Sequence, residues 1–165
     1  MLCGSSDMIS TERISKTEYG LLLALSASLR SEDPFTKVGV ALENHEGRIV
    51  VTGYNGLLSG QTLDFLMENE RDRKNLHFIH AETNALSLVK KGDIATIYLT
   101  YSPCIPCCHN IAAHGIKKVV FLNKYSEGHK EVLSSYGIEC IHYVEIQNEV
   151  LKEMASKDIF KRIPR

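Results

Sequence analysis

The residues with the clearest chemical potential lie in two short motifs, HAE and PCIPC. Imidazole nitrogen and thiolate sulfur are ligands that Zn²⁺ accepts readily, and a site with three protein ligands leaves its fourth position to water. His80, Cys104 and Cys107 can supply three such ligands. Zinc lowers the pKa of its bound water toward ~7, and Glu82 is left free to move protons. The spacing therefore predicts a hydrolytic zinc site.

The cysteine pair on its own has other interpretations. A C-x-x-C pair also occurs in redox sites, in structural zinc sites and in protein cores. A redox site gives no role to His80 or Glu82, whereas a structural zinc site needs a fourth protein ligand, which Cys108 or His109 could supply. The joint pattern H-x-E…P-C-x-x-C is typical of zinc-dependent base deaminases, in which the Glu is a general acid and base and not a ligand. The two motifs together therefore favour a hydrolytic site.

Two predicted helices begin at these motifs. Residues 81–91 carry inward-facing Ala, Leu and Val at helical spacing and stop at Gly92, and residues 105–114 stop at Gly115. A buried strand over 95–101 leads into the cysteine pair. Two helix starts that face each other can bring the histidine and both cysteines around one metal ion.

The other segments extend this alternation of helices and strands. Residues 57–79 form a long insertion, in which 63–75 reads as a short helix with a solvated charged face. We treat residues 1–14 as a loose arm and 15–165 as a single domain that ends in an amphipathic helix over 145–165. The remaining predicted elements are a core-facing helix at 15–30, hairpin strands at 38–43 and 48–53, a strand at 118–123, a helix at 126–136 and a strand at 137–143. The last two strands should be parallel, because a helix joins them.

Asn55 lies in the glycine-rich turn GYNG. Glycines allow the backbone to approach a ligand closely, and the Asn side chain offers both a donor and an acceptor. Asn-Gly is also a standard turn pair. The residues alone leave both roles for Asn55 open.

Composition argues against several classes of protein. The 165 residues are 44% hydrophobic and 24% charged, with a net charge of −1, so no basic field for nucleic acid is visible. No apolar run is long enough to span a membrane, and residues 1–10 do not form a convincing signal peptide. Three of the five cysteines are clustered, which argues against a disulfide framework. We therefore expect a cytoplasmic protein with small-molecule partners.

From about residue 19 to residue 143 the chain resembles the cytidine deaminase superfamily, and more closely its deoxycytidylate (dCMP) deaminase branch. Besides the two zinc motifs, the resemblance rests on an SEDP turn, the GYNG turn followed by a long insertion, HAETNA and GIKKVV. It implies an α/β fold, a three-layer α/β/α sandwich around a mixed five-stranded sheet. It also implies the reaction of dCMP with water to give dUMP and ammonia.

The resemblance assigns roles at the metal. His80, Cys104 and Cys107 would hold one Zn²⁺ ion. Glu82 would take a proton from the zinc-bound water and pass it to cytosine N3 and then to the departing amine. This cycle needs a carboxylate that is charged and neutral in turn.

The resemblance also assigns substrate contacts. Asn55 matches the sugar-contacting asparagine of the family, and the backbone of Ala81 matches the position that reads the base. A nucleotide phosphate requires a cation, and Arg30 and Lys37, near the SEDP turn, are the candidates.

Many members of the family are homohexamers that dCTP activates and dTTP inhibits together with Mg²⁺. The resemblance therefore implies a homo-oligomer and nucleotide effectors. Some members hold a second, structural zinc through their insertion, but residues 57–79 contain no cysteine here.

Two classes of alternative function compete with this interpretation. One is deamination of another cytosine nucleotide, a nucleoside, a free base or a tRNA adenosine; the last is disfavoured by the neutral charge and the long insertion. The other is a catalytically silent, zinc-binding regulatory module. The presence of Glu82, which zinc binding does not require, favours an enzyme.

Overall fold

The computed structural model describes residues 13–62 and 71–143, and ten helices and strands lie within these two ranges. In chain order they are α1 (Lys16–Ser28), β1 (Gly39–Asn44), β2 (Ile49–Tyr54), α2 (Arg71–His77), α3 (Ala81–Leu86), β3 (Ile94–Tyr101), α4 (Ile105–Ala113), β4 (Lys118–Asn123), α5 (His129–Ser135) and β5 (Glu139–His142).

The five strands form one mixed sheet in the order β2-β1-β3-β4-β5. Strand β1 is antiparallel to both β2 and β3, while β3, β4 and β5 are parallel to one another. Helices α4 and α5 make the connections between the parallel strands, as such pairs require. The predicted hairpin, mixed sheet and parallel final strands are confirmed.

Helices cover both faces of the sheet. On one face α1 packs Leu21 and Ala24 against Tyr98 and Val120. On the other face α3, α4 and α5 share the larger core cluster. Alternate residues of each strand point to opposite faces, which explains why β3 contributes to both clusters. The fold is the predicted α/β/α sandwich.

Helix α1 shows how local sequence determines an element. Ser15 caps its N-terminus, where the Ser15 side chain accepts a hydrogen bond from the Glu18 N–H at 3.1 Å. The helix lies so close to β1 that a Cβ added to Gly39 would lie 1.8 Å from the Ala24 carbonyl oxygen. Glycine at position 39 is therefore required for this packing.

Helix α3 ends five residues earlier than predicted. After Leu86 the backbone forms tighter bonds, from Leu88 N to Ala85 O and from Val89 N to Leu86 O, which is the 3₁₀ pattern common at helix ends. Helix α5 likewise begins at His129 and not at residue 126, because Gly128, at a φ of 80°, is its N-cap.

The insertion at residues 57–79 differs most clearly from its predicted structure. Its charges were predicted to form a solvated face, but Lys74 of α2 is only 6% exposed and pairs with Asp33. The prediction was wrong there because it ignored partners distant in sequence.

Three predicted regions lie outside the described residues: residues 63–70, most of the predicted arm and the predicted helix at 145–165. Within the described ranges, no helix has the length and apolar character needed to cross a membrane.

Candidate active site

The starts of two helices bring the predicted metal ligands together. His80 is the N-cap of α3 and Cys104 is the N-cap of α4, both with extended backbone conformations. An N-cap side chain usually bonds to a backbone N–H of the first turn, but neither of these side chains does so. Both remain available to bind a ligand.

The three candidate ligand atoms are arranged closely enough to share one ion. His80 Nδ1 lies 3.4 Å from Cys104 Sγ and 3.3 Å from Cys107 Sγ, and all three atoms lie within 4.8 Å of one another. Tetrahedral zinc with ordinary Zn–N and Zn–S bonds requires nitrogen–sulfur separations of about 3.5 Å. The donor types and spacing therefore fit zinc.

A fourth protein ligand is not part of this cluster. Over residues 13–62 and 71–143, these three residues are the only group of three or more potential ligands close enough to hold an ion. Cys108 is fully buried and directs its thiol to the Pro103 carbonyl, whereas His109 is exposed and bonds Tyr136 Oη at 2.8 Å. Among the described residues, the site has the three-ligand form of catalytic zinc, and none of them supplies the fourth ligand that a structural site needs.

The two cysteines differ in their affinity for protons. Hydrogen bonds from the Cys107 thiol and the His80 ring lower the pKa of Cys104 to about 4, although burial opposes this shift. The pKa of Cys107 is raised, because its thiol donates to Cys104 and is itself buried. The cluster thus holds a thiolate at neutral pH, which is the form that binds metals.

Glu82 lies one residue inside α3 and is 5% exposed. Burial raises the pKa of its carboxyl group, and a backbone hydrogen bond partly opposes this shift. Desolvation has this direction because it disfavours the charged form of an acid. A carboxyl group that binds a proton more readily than an exposed one therefore lies in the same cleft as the ligand cluster.

An open cleft with about 690 Å³ of empty space lies against the cluster. Its metal side is formed by His80, Ala81, Glu82 and Cys104. The rings of Phe78, Tyr101 and Tyr125 also line it. The cleft therefore brings aromatic rings and the ligand cluster around one space that is open to solvent.

Asn55 lines this cleft, but its amide is already bonded on both sides. Its Oδ1 accepts from Ser31 Oγ at 2.7 Å and from Val38 N at 2.8 Å. Its Nδ2 donates to Asp33 Oδ2 at 3.0 Å and to Thr36 O at 2.9 Å. The structural role of Asn55 is therefore to join the SEDP turn to the GYNG turn.

The two predicted phosphate contacts lie away from the cleft lining. Arg30 is exposed, and the Lys37 ammonium donates to the Ser31 carbonyl. Neither residue is among those that line the cleft. Lys74 does line the cleft, and the sequence analysis did not single it out. Phe78, an apolar residue four positions later, could have indicated that this segment has a buried face.

Comparison with known proteins identifies the relatives of the chain. Residues 14–123 match the profile of the family described as the cytidine and deoxycytidylate deaminase zinc-binding region. The chain is 36% identical to the deoxycytidylate deaminase of Mus musculus over 118 residues, which are 67% of this chain and 66% of that protein. It thus spans just under two thirds of the length of that relative.

Solved structures agree with the sequence match. The apo dCMP deaminase of the cyanophage S-TIM5 superimposes with a TM-score of 0.65 at 28% identity, covering 79% of this chain and 99% of the phage chain. The same phage enzyme in complex with dCMP and dUMP gives a TM-score of 0.60 at 28% identity, with coverage of 75% and 90%.

Proposed function

Because this chain belongs to the cytidine and deoxycytidylate deaminase family, we propose that it catalyses the zinc-dependent hydrolysis of dCMP to dUMP and ammonia. The observation that carries the proposal is the cluster of His80, Cys104 and Cys107 with the buried Glu82 in the same cleft. Glu82 has no function in a zinc site that is only structural. Its place beside the cluster favours an enzyme over a silent zinc module.

The proposed roles follow from the chemistry of the side chains. His80, Cys104 and Cys107 would hold zinc, which supplies the Lewis acidity that activates water near neutral pH. Glu82 accepts a proton from the attacking water and donates it to N3 of the cytosine ring. It then takes the remaining proton of the hydroxyl group added at C4 and delivers it to the amine, which departs as ammonia when the C–N bond breaks and the C4 carbonyl forms. The raised pKa of Glu82 suits this cycle, since general acid–base catalysis is most efficient when the pKa lies near the working pH.

Ala81 and Asn55, which both line the cleft, are the proposed substrate contacts. Ala81 is at the first position of α3 and lines the cleft, and because its side chain is a methyl group, only its backbone polar groups can read the edge of a base. Asn55 faces the cleft, but a contact with the sugar requires one of its four internal bonds to be exchanged. We therefore propose that Asn55 acts on the sugar mainly by shaping the turn around it.

A nucleotide is the proposed substrate because the phage relative binds dCMP and dUMP and aromatic residues, Phe78, Tyr101 and Tyr125, line the cleft beside the ligand cluster. Regulation by dCTP and by dTTP with Mg²⁺, and assembly into a homo-oligomer such as a hexamer, remain predictions of the family resemblance. A cytoplasmic location is likewise a prediction.

An ammonia-release assay tests the proposal. Zinc-loaded protein should be compared on dCMP, CMP, deoxycytidine, cytidine and a tRNA adenosine substrate, with and without dCTP or dTTP plus Mg²⁺. We expect dCMP to have the highest kcat/KM of the panel. A preference for a nucleoside or for tRNA would replace the proposed substrate, and no release from any compound would support the silent module.

A further inference from the structure

Lys74 is a buried cation in the candidate active site. It is 6% exposed, lines the same cleft as Glu82, and lies 2.5 Å from Asp33 Oδ2. The rings of Phe35 and Phe78 both have their centroids 5.3 Å from its ammonium nitrogen. The charge is therefore held between a carboxylate and two aromatic rings.

Stability alone does not account for this arrangement. Removing two charges from water costs several kcal/mol per ion, and buried ion pairs can often be replaced by apolar residues without loss of stability. A buried lysine at the wall of a substrate cleft is thus a candidate for a functional role.

The ammonium retains donors for a second partner. It carries three N–H donors, and the described contacts use one of them, toward Asp33. Asp33 also accepts from Phe35 N at 2.7 Å, Thr36 N at 3.1 Å and Asn55 Nδ2 at 3.0 Å. Because three other donors also satisfy this carboxylate, Lys74 can keep its one bond to Asp33 and direct its remaining donors toward an anion.

Lys74 is also the one lysine or arginine that lines the cleft in the part of the chain that the structure describes. The other cationic side chain there would be His80, which belongs to the ligand cluster. Of the residues that the structure describes, Lys74 is therefore the cation that an anionic group entering this cleft would meet.

We propose that Lys74 binds the 5′-phosphate of the substrate and makes this enzyme select nucleotides over nucleosides, with Asp33 holding the ammonium in position. This inference rests on the proposed function and adds to it the residue that determines specificity. In this account Lys74 binds substrate but takes no part in proton transfer, so its loss should act on phosphorylated substrates alone.

Substitution of Lys74→Gln in the zinc-loaded enzyme tests the proposal. Gln keeps a donor for Asp33 but loses the charge. We expect kcat/KM for dCMP to fall about 10- to 100-fold, since a hydrogen bond to a charged group is worth about a factor of this size. The kcat/KM for deoxycytidine should change less than about threefold, and the loss for dCMP should lie mainly in KM. Lys74→Arg should retain most of the preference.

The matched control is Lys124→Gln. Lys124 is also ion-paired, to Glu127 at 2.9 Å, but it does not line the cleft. The Lys124→Gln substitution should leave kcat/KM unchanged for both dCMP and deoxycytidine. Equal losses for dCMP and deoxycytidine in Lys74→Gln would show that Lys74 only anchors α2, and would overturn the proposal. A wild-type enzyme that deaminates neither compound would instead overturn the proposed function.

A measurement on the wild-type protein covers the case in which Lys74→Gln fails to fold. The side-chain ¹⁵N resonance of Lys74, assigned with the Lys74→Arg variant, should shift on addition of dUMP and not on addition of deoxyuridine. A resonance that responds equally to both, or to neither while dUMP binds, would contradict the proposal.

Discussion

The two sides of the cleft are assembled in different ways. On the metal side, His80, Glu82, Cys104 and Cys107 lie at the starts of two helices. A second group of lining residues, which we call the lysine side, consists of Asp33, Asn55 and Lys74 and comes from three separate segments. The metal side is built from two local motifs, whereas hydrogen bonds across 22 and 41 residues of sequence join the lysine side.

This difference suggests that the metal side carries out the reaction and the lysine side selects the substrate. Groups that transfer protons or bind a metal must be placed within fractions of an ångström, and regular elements hold them better than loops do. A network of hydrogen bonds between separate segments, like that of the lysine side, can exchange one of its partners for a ligand. We therefore expect substitutions on the metal side to abolish turnover, and those on the lysine side to alter stability or specificity.

The largest effect should come from removing a metal ligand. Cys107→Ala should lose zinc and reduce ammonia release from dCMP to background, because two remaining protein ligands bind zinc weakly. Zinc content by elemental analysis and the release assay measure this together. The matched control is Cys108→Ala, since Cys108 is the next residue, is also buried and bonds only Pro103. Zinc retained in Cys107→Ala, or lost in Cys108→Ala, would show that the ligands are assigned wrongly.

Glu82→Gln should have the next largest effect. The amide of Gln has the shape of the carboxylate but cannot accept and donate the proton, so kcat should fall about 10²- to 10⁴-fold. Zinc content should stay the same, because Glu82 is not a ligand in this account. Unchanged turnover would remove Glu82 from the mechanism, and a parallel loss of zinc would make it a ligand.

Asn55→Ala probes the lysine side through stability. It removes four hydrogen bonds and leaves partners such as Asp33 with fewer bonds. We expect the free energy of unfolding to fall by about 2–4 kcal/mol, measured by urea denaturation of the zinc-loaded protein. Asn84→Ala, which removes a single bond to the Tyr54 carbonyl, should cost about 1 kcal/mol. If the two variants lose the same free energy of unfolding, Asn55 does not join the SEDP turn to the GYNG turn as described.

The smallest effect is expected at Arg30. Its side chain is exposed and does not line the cleft, so Arg30→Gln should lower kcat/KM for dCMP by less than about threefold, as for most surface substitutions. Steady-state kinetics on dCMP and deoxycytidine test this directly. A loss specific to dCMP of tenfold or more would restore Arg30 as the phosphate contact and weaken the case for Lys74.

The sequence predicted the metal side far better than the lysine side. His80, Cys104 and Cys107 could be identified because their chemistry is encoded in spacings of a few residues, and the apolar runs on either side predicted α4 and β3. The burial of Lys74 depends on Asp33, Phe35 and Phe78, and a partner 41 residues away leaves no periodic signal. For the same reason Asn55 could be interpreted either as a turn former or as a ligand contact.

Errors in the predicted elements also have local causes. The helix predicted over 81–91 has good periodicity, but the bonds after Leu86 tighten, and Asp93 Oδ2 accepts from Lys90 N at 3.0 Å. A side chain that bonds nearby backbone in this way competes with helix formation. Such competition is hard to infer from residue types alone, so helix ends were predicted less accurately than helix existence.

Zinc K-edge X-ray absorption on the metal-loaded protein distinguishes a zinc site with three protein ligands and an open position from a closed one. We predict two sulfur neighbours at about 2.3 Å and two nitrogen or oxygen neighbours at about 2.0–2.1 Å, one from His80 and one from solvent. A shell with three sulfur atoms would place Cys108 on the metal and close the open position. That result would contradict a hydrolytic site in this cleft.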